Sequence, residues 1–198
     1  MKHAFISLAL TLALTFTTSL ALAANKIPAH PQIVVVTTEG TFKMELVTKE
    51  APHTVEQILK LVDAGFYDGL IFHRVISDFM IQTGGYTPGF KLKEDGQRIV
   101  NESGNGMSNV RGTVAMARTG DPHSAGSQFF INLSDNSRLD PQKNPVRGSW
   151  GYTVFGYVFE GMEVVDKIAL VATAPQDKHQ NAPIIPIVIK SMSQITYD

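Results

Sequence analysis

The chain contains no cysteine. Disulfides, thiolate metal sites and cysteine nucleophiles are therefore excluded, and the fold cannot depend on the redox state of its compartment. Neither charge is in excess: 17 lysines and arginines stand against 18 aspartates and glutamates, a net charge of −1. That balance gives no electrostatic reason to expect nucleic acid or an anionic membrane as partner. The six histidines are scattered and form no H-E-x-x-H pair, so a metal site has little support. There is no G-x-S-x-G elbow and no glycine-rich loop opening a helix, which argues against a serine hydrolase and against a phosphate-bearing cofactor. No cofactor is expected. Repeats and low-complexity tracts are absent too. What remains is 198 residues, 43% hydrophobic and 18% charged, enough for one soluble domain with a sizeable core.

The first two dozen residues differ from the rest. Lys2 supplies a positive start, and Ala4 to Leu14 is apolar apart from Ser7 and Thr11. Small side chains at Ala21 and Ala23 then form the A-x-A pattern of signal cleavage. Residues 1–23 read as a signal peptide, leaving 175 residues with a net charge of −2. An uncleaved membrane anchor is the alternative, but threonines dilute the apolar run and no basic stop follows it. The short run behind a single lysine fits bacterial export, hence a periplasmic protein with no membrane contact in its mature form. Residues 24–31 read as a flexible lead-in, and 32–198 as the functional domain. Asn101 and Asn132 open N-x-S sequons, which carry no meaning in such a chain.

Gln32 to Thr38 is rich in valine, and Thr41 to Val47 alternates Phe42, Met44 and Leu46 around Glu39-Gly40, the pattern of a β-hairpin. In Ala51 to Gly65 the residues Val55, Ile58, Leu59 and Val62 make one helical stripe, with Pro52 in the first turn and Gly65 at the C-terminal cap. Short apolar runs then recur at 70–76, 79–82, 112–116, 128–133, 153–159 and 184–195, with a second helix at Met162–Leu170. Many short strands and only two helices predict a mainly β protein, an antiparallel barrel or sandwich.

Arg74 interrupts an apolar run, and period 2 puts it on one face with Phe72 and Ile76. A half-buried arginine is costly unless it is paired or faces a cleft. From this segment alone, an edge-strand arginine reaching water is the better reading. Met80 and Gln82 share a face by the same period, as do Gln128 and Phe130, with Phe129 and Ile131 opposite. Met116-Ala117-Arg118 ends another strand. Amides and a guanidinium beside apolar groups suit an amide-bearing ligand, and no nucleophile or acid–base pair accompanies them.

Read together, F-H-R-V at 72–75, F-M-I-Q at 79–82, G-G at 84–85, G-T-V-A-M-A-R at 112–118, G-S-Q-F-F-I at 126–131 and V-F-G at 154–156 resemble the cyclophilins, from about Ile33 to Ser193. The resemblance implies a closed eight-stranded antiparallel β-barrel capped by two α-helices, and peptidyl-prolyl cis–trans isomerisation without metal or cofactor. It makes Arg74 the catalytic arginine, with the 72–75 and 79–82 segments as the centre of the site. Phe79, Met80, Phe130 and Leu139 become the proline pocket, and Gln82 and Gln128 the amides that bind substrate backbone and position the arginine. Ala117 and Arg118 become the strand end beside the residue before proline, and Tyr152 stands where many relatives carry histidine. Thr83 looks inserted ahead of Gly84-Gly85. Arg118 replaces a common asparagine. Arg138 stands where eukaryotic members often carry the tryptophan that helps bind cyclosporin, so weak drug binding is expected. The implied partners are proline-containing polypeptides, exported proteins among them; the sequence is silent on oligomeric state, and a monomer is the default expectation. Two rivals stand beside this reading: a proline-peptide-binding chaperone module with little catalysis, and a ligand-binding barrel with an open interior.

Overall fold

The computed structural model describes residues 30–142 and 150–196, so the expected signal peptide and residues 24–29 of the lead-in lie outside the described residues. The valine-rich start forms β1 (Gln32–Thr37), paired with β2 (Thr41–Leu46), and every second residue of each strand is buried. The helix α1 (Pro52–Asp63) follows, and all four stripe residues are buried. Gly65 takes a left-handed φ of 62° and its N–H donates to the Val62 carbonyl, ending the helix as its sequence implies. Ala51 supplies no side-chain cap. The carboxylate of Glu102, distant in sequence, accepts from the N–H groups of His53 and Thr54 at 3.1 and 3.0 Å and from the Thr54 hydroxyl at 2.6 Å. It satisfies first-turn donors and places negative charge at the positive end of the helix dipole.

The next strands are short: β3 (Arg74–Ile76), β4 (Met80–Thr83), β5 (Thr113–Met116) and β6 (Phe129–Asn132). A 3₁₀ turn at Ser137–Leu139 precedes β7 (Val154–Glu160), and α2 (Met162–Ala169) packs its buried Val165, Ile168 and Ala169 on the sheet. Gly161 opens α2 with a φ of 82°, and a Cβ there would lie 2.7 Å from the Phe42 Cα, so glycine permits both the turn and the close approach. A hairpin of β8 (Thr173–Gln176) and β9 (His179–Pro183) follows, and β10 (Ile189–Gln194) is the last described strand. No described helix is long and apolar enough to cross a membrane.

Eight strands form one antiparallel sheet in the order β10-β1-β2-β7-β5-β6-β4-β3, strongly curled into a half-barrel. Its end strands share no ladder. Instead the residues ahead of β3 meet those around the start of β10, through an Ile71–Val188 bridge and hydrogen bonds from Phe72 N to Ile187 O (3.0 Å) and Ile189 N to Leu70 O (2.8 Å). The inner face is filled by Phe42, Met44, Phe72, Phe129, Phe155 and the apolar sides of both helices. Among the described residues that packing fills the inner face, unlike the open interior a small-ligand barrel needs.

Two sequence expectations change. The run 70–76 is a strand only from Arg74, so the alternation does not reach Phe72, which packs in the inner core while Arg74 and Ile76 lie on the outer face. Thr83, set against the family pattern, continues the β4–β6 register opposite Phe129, and its hydroxyl donates to the Ile71 carbonyl at 2.9 Å. The strand expected over 184–195 begins only at Ile189, and ahead of it stands an unexpected β8–β9 hairpin, whose polar strands, each with a proline, give no alternating signal.

That hairpin covers His73. The imidazole is 3% exposed, packs 4.7 Å from the Tyr86 ring and 5.4 Å from His179, and its Nδ1 has no hydrogen-bond partner. Burial pushes its pKa from an ordinary 6.5 down to about 3, helped by His179 and Arg74 and opposed by the Ile71 backbone. Between those values the unfolded chain binds a proton here that the folded chain does not. Stability is therefore full above pH 6.5 and falls as the pH drops towards 3, by about tenfold in the folding equilibrium per pH unit. Denaturation midpoints measured across this range should show a flatter pH dependence for His73→Phe than for wild type; equal slopes would refute the assignment.

Candidate functional site

Strand register assembles the site. Arg74 pairs with Gln82, Gln82 with Phe130, Phe130 with Ala115, and Ala115 with Val154. These residues make one row across five strands, on the outer face of the sheet. Met80, Ala115, Phe130 and Val154 form a second apolar cluster there, separate from the inner core, and Ile76, Phe79, Ala117, Leu139 and Tyr152 pack against it. The equal faces read from period 2 at Met80/Gln82 and Gln128/Phe130 hold.

Nine of the ten expected site residues line one cavity of about 110 Å³: Arg74, Phe79, Met80, Gln82, Ala117, Arg118, Phe130, Leu139 and Tyr152. The tenth, Gln128, lines an adjoining cavity of about 190 Å³ that shares Gln82, Ala117 and Arg118 with the first. The two amides link the guanidinium to the sheet. Arg74 Nη1 donates to Gln82 Oε1 at 3.4 Å, and Gln82 Nε2 donates to Gln128 Oε1 at 3.1 Å. Of the four motif residues 72–75, only Arg74 reaches the cavity: Phe72 and Val75 are core, and His73 lies beneath the hairpin.

The remaining walls come from loops. Phe79 leaves a tight turn in which Asp78 has a positive φ, and its ring lies under two guanidinium groups, Arg138 at 4.6 Å and Arg74 at 5.9 Å. Tyr152 meets Phe130 edge-on at 5.6 Å and carries Arg118 over its face at 4.7 Å. Arg118 is further held by the carbonyls of Gly151, Thr119 and Trp150, at 3.2, 2.9 and 2.6 Å.

Leu139 is held in place by residues the sequence did not mark. The Asp140 carboxylate accepts from Asn109 N at 2.7 Å, from Asn109 Nδ2 at 2.9 Å and from the Ser108 hydroxyl. Burial alone would raise this carboxyl, but those bonds outweigh it and hold it below the usual range. Asn136 Nδ2 donates to the Phe79 carbonyl at 2.8 Å and to Asn132 Oδ1 at 2.9 Å, while Asn132 Nδ2 reaches Thr113 Oγ1 at 2.9 Å. Asn132, in a sequon, is thus fully buried. An N-x-S triplet inside an apolar strand was the only sign that this asparagine does structural work.

No carboxylate, histidine or cysteine lines the 110 Å³ cavity. Among the described residues no cluster of three or more histidine, cysteine, aspartate or glutamate side chains could hold a metal. The arrangement offers an apolar seat, donors fixed at its edge, and a neighbouring polar trough: a site for an extended peptide with a small apolar ring.

Fold and site together describe an isomerase-type peptide groove on a curled antiparallel sheet. Residues 33–194 match the cyclophilin type peptidyl-prolyl cis–trans isomerase family, and the chain belongs to that family. It is 53% identical to the peptidyl-prolyl cis–trans isomerase cyp18 of Streptomyces antibioticus, over 78% of this chain and 93% of that one. It is 47% identical to peptidyl-prolyl cis–trans isomerase B of Escherichia coli, over 79% and 95%. Among solved structures, a cyclophilin type isomerase of Cryptosporidium parvum superposes with a TM-score of 0.68 at 27% identity, covering 85% of this chain and 99% of that one. The same Cryptosporidium protein has also been crystallised in the presence of the dipeptide Ala-Pro.

Gly85 sets the place of Gln128. A Cβ on Gly85 would stand 2.6 Å from Gln128 Cδ and Nε2, and the Gly85 backbone needs no left-handed φ. The requirement is space, not conformation. Gly85→Ala should displace Gln128, release Gln82 and lower kcat/KM for a proline peptide by about tenfold. Gly85→Ala combined with Gln128→Ala should be no worse than Gln128→Ala alone, because the clash is gone. Losses that add in the double variant would show that Gly85 acts otherwise.

Proposed function

We propose that Arg74 catalyses rotation about the peptide bond before proline, on substrates whose proline ring sits against Phe79, Met80, Phe130 and Leu139. The observation that carries this reading is a guanidinium bonded to Gln82, which in turn donates to Gln128, with no carboxylate partner among the described residues, at the rim of an apolar cavity. The bond rotates slowly because amide resonance imposes a barrier of roughly 18–20 kcal/mol. In the twisted transition state resonance is lost, the nitrogen becomes pyramidal, and its lone pair accepts a hydrogen bond. A donor aimed at that lone pair binds the transition state better than either planar ground state. Arginine stays charged and keeps its donors in a rigid fork. The seat holds the ring and excludes water while the preceding carbonyl turns, with Ala117, Arg118, Gln82 and Gln128 along the substrate backbone. No covalent bond breaks, so the lack of nucleophile or acid–base pair in the cavity fits the reaction. Lowering the barrier by about 7 kcal/mol would give an acceleration of roughly 10⁵.

The finer expectations are proposals as well. The Ile71–Val188 bridge and its flanking hydrogen bonds support a curl that closes into a barrel at this seam. The start of the sequence supports export, cleavage after Ala23 and a role in the folding of exported proteins; a periplasmic protein whose N-terminus is Ala24 would bear out the export and the cut. Arg138 over Phe79, where eukaryotic relatives often carry tryptophan, supports weak cyclosporin binding.

One set of measurements tests the reaction and its rival. In NMR exchange of a proline peptide, Arg74→Ala should lower the catalysed rate by about two to three orders of magnitude, in line with loss of one preorganised donor, while peptide-induced shifts persist. Full activity in the variant would remove Arg74 from the reaction. Binding without acceleration by the wild type would favour the chaperone-module reading. Cyclosporin should inhibit only above about 1 μM, and nanomolar inhibition would refute the role given to Arg138.

A further inference from the structure

The groove carries an excess of positive charge: Arg74, Lys93, Arg98 and Arg118 line its two cavities against Glu94 and Asp95. Arg74 and Arg118 line the 110 Å³ cavity and no acid does. Arg138 lies over Phe79, a wall of the same cavity. None of the three takes part in the ion pairs of the described residues, which use His30, Lys43, Arg98, Arg111 and Lys167. Glu94 and Asp95 line the adjoining 190 Å³ cavity, where Lys93 and Arg98 offset them: Glu94 faces Arg98 at 3.8 Å, and Asp95 accepts from Gln57. Asp140 is held by Ser108 and Asn109, and Asp135 accepts the Arg111 N–H, so neither pairs with the three arginines.

Two of these arginines are also preset. Three backbone carbonyls and the Tyr152 ring fix Arg118, which leaves two of its five N–H donors free. Arg138 is exposed, makes no hydrogen bond among the described residues, and is kept in place by stacking on Phe79. Like charges gathered around one cleft repel one another and raise the local concentration of anions. Arg118 stands where the two cavities join, while Phe79 beneath Arg138 borders only the smaller one. A peptide whose proline fills the smaller cavity therefore meets a fixed cation beside more than one of its neighbouring residues.

We propose that the groove selects prolines flanked by aspartate or glutamate, with Arg118 and Arg138 as the specificity-determining residues. This rests on the isomerase reading above and adds a substrate class to it.

The test uses five peptides of equal length that differ only beside proline: alanine on both sides, or glutamate or lysine in the position before or after it. NMR exchange gives kcat/KM for each, corrected for its spontaneous rate, at about 20 mM and about 0.5 M salt, since screening acts between these concentrations. Wild type should favour each glutamate peptide over its lysine counterpart by roughly fivefold at low salt, with the ratio approaching one at high salt. Arg138→Gln should reduce that ratio for one flanking position and keep it for the other. Acceleration of the alanine peptide with equal rates for glutamate and lysine overturns the charge selection and leaves the isomerase reading intact. Acceleration of no peptide overturns both. A ratio unchanged at both positions in Arg138→Gln overturns the role of that residue.

Discussion

The Arg74–Gln82–Phe130–Ala115–Val154 row is the constraint on which the site depends. Antiparallel register puts side chains from five strands in line on one face, at spacings set by the backbone ladder. A guanidinium at one end and apolar groups at the other need no flexible loop to meet. The inner face of the same strands is packed with Val75, Ile81, Phe129, Ile131 and Val114, so the row cannot shift without disturbing the core. Precision at the outer surface is thus a product of burial on the inner one.

The polar parts of the site are steadied by relays rather than by ion pairs. Gln82 accepts from Arg74 and donates to Gln128, and each amide has a donor and an acceptor to give. Gly85 leaves room for the Gln128 side chain, and the Ser127 carbonyl beside it accepts from the buried Tyr67 hydroxyl at 3.0 Å. Burial raises the Tyr67 pKa, so that hydroxyl remains a donor. A carboxylate partner for Arg74 would have satisfied the guanidinium but left less of it for a weakly basic nitrogen. Amides hold it in place while leaving its charge available.

Much of this was legible from periodicity. The faces of β2, β4 and β6 follow alternation and α1 follows its stripe, while the residues to which only the family resemblance gave a role, Ala117, Arg118, Leu139 and Tyr152 among them, line the same two adjoining cavities. What alternation could not show has identifiable causes. Phe72 turns inward because the ladder begins two residues later. The β8–β9 hairpin pairs polar, proline-bearing segments, and its own His179 packs on the His73 and Tyr86 rings. Glu102 caps α1 from 48 residues away, and Asp140 anchors Leu139 through Ser108 and Asn109. Side chains that bond backbone across long sequence separations leave no local pattern, and those are the contacts that sequence reasoning missed.

The groove lies on the outside of the sheet, not within it. Its floor is one row of strand residues and its walls are short loops, so a polypeptide can lie across it sideways. Neither chain terminus has to enter first, and nothing has to be threaded. A proline deep within a long, partly folded chain is as accessible as one in a short peptide, provided a few residues on each side are extended. The enzyme can engage and leave such a chain at many points along its length, without waiting for an end to be presented.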